Sequence, residues 1–362
     1  MIERGELLAV EVLNFGMKIT FAGPLISTFV KNDVTILRQE HEVDAIDVVL
    51  GKGKMAVLRL VKLHLRIMSS LMTRDALFFW FADYYTLIPT LFARMIGKKV
   101  FVVAGGFDIT FIPELGIGAR TRPLRWFAVK NTFRLCDFIF PVSQDTQNDL
   151  DSAVPNHAPS AMIYNAVDTK RYHFDDRPRK KIALTVSQAD SIPEYHRKGI
   201  DLFIEIAKKV PDIEFHVAGV RGAVAERAGH DASGILNVLI RPGRLPLDDI
   251  LEEFWDAAVY CQLSIEERFG VSVAEAMSCG CIPVITPVNA LKEVVGNEGF
   301  MVERSDTEGI IAAIRSALTA SDSFRRSVSA AAARFDIKER GKKLLNFVNS
   351  IGAKNGQFSK SP

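Results

Sequence analysis

The sequence predicts two consecutive doubly wound α/β domains separated by a cleft. Three observations carry this expectation. Short apolar runs rich in Val, Ile and Phe alternate with helical segments along most of the chain, the pattern of a parallel sheet covered by helices. A charged stretch at 168–180, DTKRYHFDDRPRK, breaks the alternation, contains Pro178 and shows no apolar period, as a linker does. The chain has 362 residues, which at about 150 residues per domain suggests roughly two domains.

In the first half the predicted strands are Met17–Ala22, Val43–Val48, Ala76–Trp80, Lys99–Ala104, Phe138–Val142 and Met162–Tyr164. They lack polar alternation, as strands buried on both faces do. Helical stretches such as Ser27–Arg38, Met55–Met72 and Tyr85–Ile96 lie between them. After the linker the strands are Ile182–Val186, Ile213–Ala218, Val238–Ile240, Ala257–Cys261, Ile282–Ile285 and Gly299–Val302. Helices at Ile200–Lys209, Leu247–Trp255, Val271–Ser278 and Thr307–Leu318 separate these. Helical segments near Ser323–Arg334 and Ile337–Asn349 precede a polar tail. The expected domains are an N-terminal extension at 1–16, a first domain at 17–170, a second at 171–335, and a C-terminal helix with tail at 336–362. The extension carries Glu3, Glu6 and Glu11 without a basic start, unlike a secretory signal, and Met17 is a second candidate start.

Hydrophobic residues at 48% and charged residues at 24% exclude wholesale disorder. Forty-five basic against 43 acidic residues leave a net charge of +2, not the basic footprint of a nucleic-acid binder. No nucleic-acid partner is therefore expected. Cys136, Cys261, Cys279 and Cys281 lie in apolar surroundings and read as buried thiols of a reducing compartment. Only Cys279 and Cys281 are close, with no His or Cys nearby to complete a metal set. No apolar run reaches the roughly 18–20 residues that span a bilayer. The expectation is a cytoplasmic protein.

The densest chemical signal is Ala257–Thr286, AAVYCQLSIEERFGVSVAEAMSCGCIPVIT, read as strand, loop, helix, glycine stop and strand. Its helix should begin near Gly270, with the free amides of Val271 and Ser272 at the carboxyl end of the strand. Such amides and the helix dipole favour a phosphate. Glu267 and Glu275 bracket the cluster, and carboxylates accept hydrogen bonds from pairs of sugar hydroxyls. The bland alternative for each acid singly is a solvated glutamate.

Ser264, Glu267, Phe269, Gly270, Glu275, Ala276, Met277 and Gly280 stand in register with S-x-x-E-x-F-G-x-x-x-x-E-A-M-x-x-G, and Pro283, Val284 and Ile285 supply the P-V-I that follows. The stretch resembles the E-x7-E signature of the retaining glycosyltransferases of family 4 (glycosyl transferases group 1). Glu266 has the wrong spacing, so Glu267 is the signature residue. The resemblance implies the GT-B fold, two Rossmann-like domains with an interdomain cleft, the first binding acceptor and the second a nucleotide-sugar donor. Arg197-Lys198-Gly199-Ile200-Asp201 resembles the R-K-G-x-D helix opening of the donor domain. Asn165-Ala166-Val167-Asp168 resembles the N-G-V-D turn that ends the acceptor domain, and Glu293-Val294-Val295 the family's E-V-V. Arg241-Pro242-Gly243-Arg244-Leu245 is similar to the segment that passes near the nucleotide base.

The roles implied by the resemblance are these. Glu267 holds sugar hydroxyls and Glu275 the ribose diol. Lys198, with Arg197 and the amides at Gly270, Val271 and Ser272, holds the diphosphate. Asp108 orients the acceptor hydroxyl or the transferred sugar, against the alternative of an Asp in a tight turn. No metal and no cofactor are expected, the nucleoside-diphosphate sugar being substrate. Two departures stand out. The family arginine is Gln188 here, leaving Arg197 or Arg244 to substitute or donor affinity to be lower. The family histidine is Gly105, in Gly105-Gly106-Phe107-Asp108. These departures motivate an alternative, a catalytically silent nucleotide-sugar binder. A nicotinamide enzyme lacks its G-x-G-x-x-G.

Two stretches of the first domain are basic. Residues 51–74 carry Lys52, Lys54, Arg59, Lys62, Arg66 and Arg74, with Leu60, Val61, Leu63, Ile67, Met68 and Leu71 on a wide apolar arc. Residues 115–136 carry Arg120, Arg122, Arg125, Lys130 and Arg134 beside Trp126, Phe127 and Phe133. Both suit the anionic inner face of the cytoplasmic membrane presenting a lipid-linked acceptor. The bland reading is a core-covering helix with a solvated basic face.

Overall fold

A computed structural model describes residues 16–51 and 53–353. Lys52, residues 354–362 of the polar tail and all of the expected extension except Gly16 lie outside the described residues. The first domain runs β1 (Lys18–Gly23), α1 (Thr28–Leu37), β2 (Glu42–Asp47), α2 (Lys54–Leu71), β3 (Ala76–Trp80), α3 (Leu87–Met95), β4 (Lys99–Ala104), α4 (Pro123–Leu135), β5 (Phe138–Pro141) and α5 (Gln144–Ala153). The second runs β6 (Lys180–Val186), α6 (Ile192–Arg197), α7 (Ile200–Lys209), β7 (Glu214–Ala218), α8 (Gly222–Asp231), β8 (Val238–Arg241), α9 (Leu247–Asp256), β9 (Ala257–Gln262), α10 (Val271–Ser278), β10 (Ile282–Ile285), α11 (Leu291–Val295), β11 (Phe300–Met301), α12 (Thr307–Leu318) and α13 (Asp322–Ala332). A last helix, α14 (Ile337–Ala353), follows.

Both sheets are parallel, ordered β2-β1-β3-β4-β5 and β11-β10-β9-β6-β7-β8. The interior strands β3, β4 and β9 are buried on both faces, which explains why they read as unbroken apolar runs. The edge strands β2 and β8 are only half-buried. Met162–Tyr164 forms no strand: the segment runs extended beside β5, with Ala161 N donating to Ile139 O and Ile163 N to Pro141 O. Pro159 has no N–H to give that edge. The loops after the carboxyl ends of the strands, where open α/β sheets hold ligands, meet between the domains.

The chain crosses between the domains twice, and the crossings are stitched together. Val167 N donates to Phe335 O at 2.8 Å and Ile337 N to Val167 O at 3.0 Å. α14 thereby returns to the first domain, where Phe347 packs on Phe138 at 5.2 Å between ring centroids. Arg340 anchors it. Its guanidinium donates to both carboxylate oxygens of Asp33 at 2.6 Å and to the carbonyls of Ile163 and Tyr164. The Trp80 indole N–H also reaches Asp33, at 2.6 Å. Both charges are buried, so each depends on the other to offset lost hydration. Asp33→Ala should therefore destabilise the protein by about 3–5 kcal/mol. Denaturant unfolding with an unshifted midpoint would show the pair to be energetically silent.

Candidate active site

The loop after β9 is built around Gly270. Its φ is 81°, and a Cβ there would lie 2.6 Å from Leu291 Cδ2, so only glycine turns the chain here. α10 starts at once, with no side-chain cap on its first amides. Val271 and Ser272 are half-buried at that N-terminus, which is electrostatically suited to an anion. The Tyr260 hydroxyl, at the end of β9, donates to Ser272 Oγ at 2.8 Å.

Lys198 ends α6, and its ammonium is ion-paired with Glu267. Gly199 makes this meeting possible: with φ 70°, its Cβ would fall 1.9 Å from Leu263 O. The α6 end thus lies directly against the β9 loop, and Ile265 N donates to Arg197 O at 2.8 Å. Arg197 Nη1 donates to Glu266 O at 3.2 Å, while its Nε is buried without a partner. Burial alone would raise the Glu267 carboxyl, but the positive charges of Lys198 and Arg197 outweigh it and hold it below its ordinary range.

Glu275 lies one turn into α10, beside the Tyr172 hydroxyl of the interdomain linker. Burial pushes its carboxyl up to about 8, against the lowering effect of that hydroxyl. Burial raises the Tyr260 phenol, and the Glu275 and Glu267 carboxylates raise it further, so both acids flank one buried hydroxyl. The structure therefore brings together Lys198, Arg197, Glu267, Gly270, Val271, Ser272 and Glu275.

Arg244 is exposed and makes no bond to this cluster; its Nη1 reaches across to Ile26 O, in the loop after β1, at 3.4 Å. The guanidinium beside position 188 is that of Arg221, which donates to Gln188 O at 3.2 Å and keeps a buried, unpartnered Nε. Only the pairing of the β6 and β7 ends reveals it.

Asp108 takes the tight-turn alternative. It is completely buried, and its carboxylate accepts from Gly106 N at 2.9 Å and Ala82 N at 3.2 Å. Burial raises its pKa to about 6, partly opposed by those amides. It positions the loops after β3 and β4 and does not face an acceptor. At Gly105, a Cβ would lie 2.2 Å from Phe81 Cε1. Phe81 itself has φ 64°, unusual for a bulky residue, and its ring stacks edge-on with Trp80 at 5.1 Å.

Sequence reasoning missed a clasp across the domains. A Cβ on Gly106 would sit 2.1 Å from Arg268 Cγ, so the Arg268 side chain crosses directly over that glycine. Its guanidinium bonds Thr110 Oγ1 at 3.0 Å, Glu266 Oε1 at 2.6 Å and Asp145 Oδ2 at 3.2 Å, and also Asp149. Thr110 donates to Glu266 at 2.6 Å. On the other side of the clasp, the Glu293 carboxylate accepts from the amides of Gln144 and Asp145, both at 3.1 Å. A second-domain acid thus caps the N-terminus of α5, favourably for the dipole.

Residues 173–335 match the family described as Glycosyl transferases group 1. A phosphatidylinositol N-acetylglucosaminyltransferase from Arabidopsis thaliana is 27% identical over 168 residues, 44% of this chain and 36% of the relative. N-acetyl-alpha-D-glucosaminyl L-malate synthase of Bacillus anthracis is 26% identical over 252 residues, 65% of this chain and 63% of the relative. The chain therefore spans less than two thirds of the length of these relatives. Anabaena Alr3699/HepE, solved in complex with UDP-glucose, superposes with a TM-score of 0.70 at 16% identity, covering 92% of this chain and 100% of that one. The fold is GT-B, two Rossmann-like α/β domains joined at a cleft. The second domain belongs to the glycosyl transferases group 1.

Two outcomes follow from this geometry. Native Glu275 keeps its proton up to about pH 8, whereas an unfolded glutamate loses it near about 4.3. Between those values the native state binds more protons, so this residue's contribution to stability falls as pH rises. Glu275→Gln should melt higher than the parent at pH 8, with the difference vanishing near pH 4; equal melting at pH 8 would contradict the burial. Arg268→Ala should loosen the domains while leaving each folded. Small-angle scattering should show a larger radius of gyration, and an unchanged curve with unchanged circular dichroism would mean that the clasp does not hold them.

Proposed function

We propose that the chain is a retaining glycosyltransferase that moves a hexose from a nucleoside-diphosphate sugar to a glycan or lipid-linked acceptor, in cell-surface polysaccharide or glycolipid synthesis. The observation that carries this reading is the Lys198–Glu267 pair beside the uncapped start of α10, with Glu275 one turn further. Lys198 and the amides of Val271 and Ser272 supply positive potential for a diphosphate. Glu267, kept ionised by Lys198, accepts from sugar hydroxyls, and Glu275 accepts from the ribose diol. Arg221 stands where the family arginine is replaced by Gln188 and adds charge toward the phosphates.

In this reading the bond between the sugar C1 and the phosphate oxygen breaks as the acceptor oxygen bonds C1 on the same face. The acceptor proton passes to the departing phosphate oxygen. The protein contributes alignment and electrostatic stabilisation of the leaving diphosphate. No cofactor and no metal enter this scheme. The names of the Arabidopsis and Bacillus relatives share an N-acetylglucosaminyl donor group and differ in acceptor, which supports the donor class more than any one acceptor. The UDP-glucose held by the Anabaena protein supports the same class.

A silent nucleotide-sugar binder is favoured by one feature, the absence of room for any side chain at Gly105. Donor hydrolysis and transfer over UDP-, GDP-, ADP- and TDP-sugars separates the two: binding without turnover on any donor would select the binder. Glu275→Ala should lose donor affinity by at least about 1.5 kcal/mol, more than ten-fold. In the parent protein donor affinity should rise from pH 7 to pH 9, since hydroxyls donate to the ionised Glu275, whose carboxyl titrates at about 8. Calorimetry showing flat affinity over that range would refute the ribose role.

A further inference from the structure

We infer that the outer face of α2, α3 and α4 docks on an anionic lipid bilayer and presents the cleft to a lipid-linked acceptor, the second part resting on the transferase reading above. The strand order β2-β1-β3-β4-β5 makes the β2–β3, β3–β4 and β4–β5 crossovers step in one direction. Right-handed connections then put all three helices on the same side of the sheet. Their inner residues, Leu63, Ile67, Ala93, Val129 and Phe133, form a core with strand residues such as Phe79 and Val102.

The opposite sides of these helices are not the polar surface that a core-covering layer ordinarily shows. Val57, Leu65, Leu91, Met95, Leu124 and Phe127 are between 49 and 78% exposed. Val61, assigned by the sequence pattern to the buried arc, is exposed with them. Arg59, Lys62, Arg66, Arg94 and Arg134 are exposed among these apolar side chains. Not one Asp or Glu occurs in the sequence of the three helices. Apolar side chains with interspersed cations and no acid complement an anionic headgroup layer over hydrocarbon. A protein partner would need acids to match, but the breadth of the apolar and cationic face over three helices favours lipid.

The face continues to the cleft. Phe107 and Phe111, 39 and 51% exposed, follow β4 and are held to the start of α4 by cations. Arg125 lies 5.3 Å from the Phe107 ring, and Arg120 lies 5.2 Å from Phe111 and 5.6 Å from Trp126. Between these two phenylalanines lies Thr110, which bonds Glu266 of the loop that carries Glu267. An apolar tail entering at Phe107 and Phe111 thus has its head beside the sugar-transferring loop.

The test is co-sedimentation of the full chain with phosphatidylcholine vesicles, with and without phosphatidylglycerol, at low and high salt. Binding is expected only with phosphatidylglycerol, and it should be lost at high salt. The double variants Lys62→Glu/Arg66→Glu and Leu124→Asp/Phe127→Asp should each weaken it by about ten-fold or more. No sedimentation with anionic vesicles, equal binding to neutral ones, or full binding by both variants would overturn the inference. Self-association that the variants abolish, without vesicle binding, would overturn it in favour of a protein interface. Thermal shifts by nucleotide sugars on the same variants keep the two readings apart. Retained donor shifts without vesicle binding would defeat only the docking face, and vesicle binding without any donor shift would defeat only the transferase.

Discussion

Arg268 imposes a constraint that the rest of the molecule satisfies. Its guanidinium is withdrawn from water at the seam of two domains, and a buried cation without partners is prohibitively costly. No single domain provides enough acceptors. Glu266 comes from its own loop, whereas Asp145, Asp149 and Thr110 come from the first domain. The full set exists only with the domains together. Because Arg268 follows Glu267 directly in sequence, any separation of the domains also disturbs the loop that carries Glu267. The contact between the domains and the placing of Glu267 are therefore coupled.

Within the site the two carboxylates are set in opposite states by their surroundings. Glu267 is buried but faces Lys198 and Arg197, and stays ionised. Glu275 is half-buried against the Tyr172 hydroxyl with no cation to compensate, and desolvation holds its proton to about 8. Two identical side chains on one short segment thus differ in charge at neutral pH, through burial and neighbours alone. Glu275 is costly to the fold as an anion. Natural cores seldom keep such a residue for stability, so its presence points to use.

What the sequence shows of this is divided by contact range. The interior strands β3, β4 and β9 were readable because burial on both faces leaves an unbroken apolar run. The Gly270 turn, Glu267 and Glu275 were readable because nine consecutive residues of one strand–loop–helix unit hold them. Lys198 was readable by its resemblance to a known helix opening, although its partner is 69 residues away. The clasp was not, since Arg268 and Asp145 are 123 residues apart and nothing local marks either. Glu266 was set aside on spacing grounds and proved to belong to the other network. Asp108 carried two readings for a similar reason: a tight-turn aspartate and a substrate-facing one look alike until its two backbone donors are seen.

Gly105 shows how far a missing side chain can mislead. Read alone, it is a histidine lost from a sugar-binding position. In the structure, the ring of Phe81 lies where any Cβ on residue 105 would point. Phe81 adopts a left-handed φ of 64°, a conformation that costs a bulky residue about 1–3 kcal/mol and persists only when its surroundings enforce it. They do: Trp80 and Phe29 pack against the ring at 5.1 and 6.4 Å, and Asp108 fixes the next backbone amide, that of Ala82. Glycine at 105 and the strained phenylalanine at 81 are a single packing solution. Trp80 Cζ3 lies 2.6 Å from the same Cβ position, so restoring an imidazole at 105 requires both rings, those of Phe81 and Trp80, to give way.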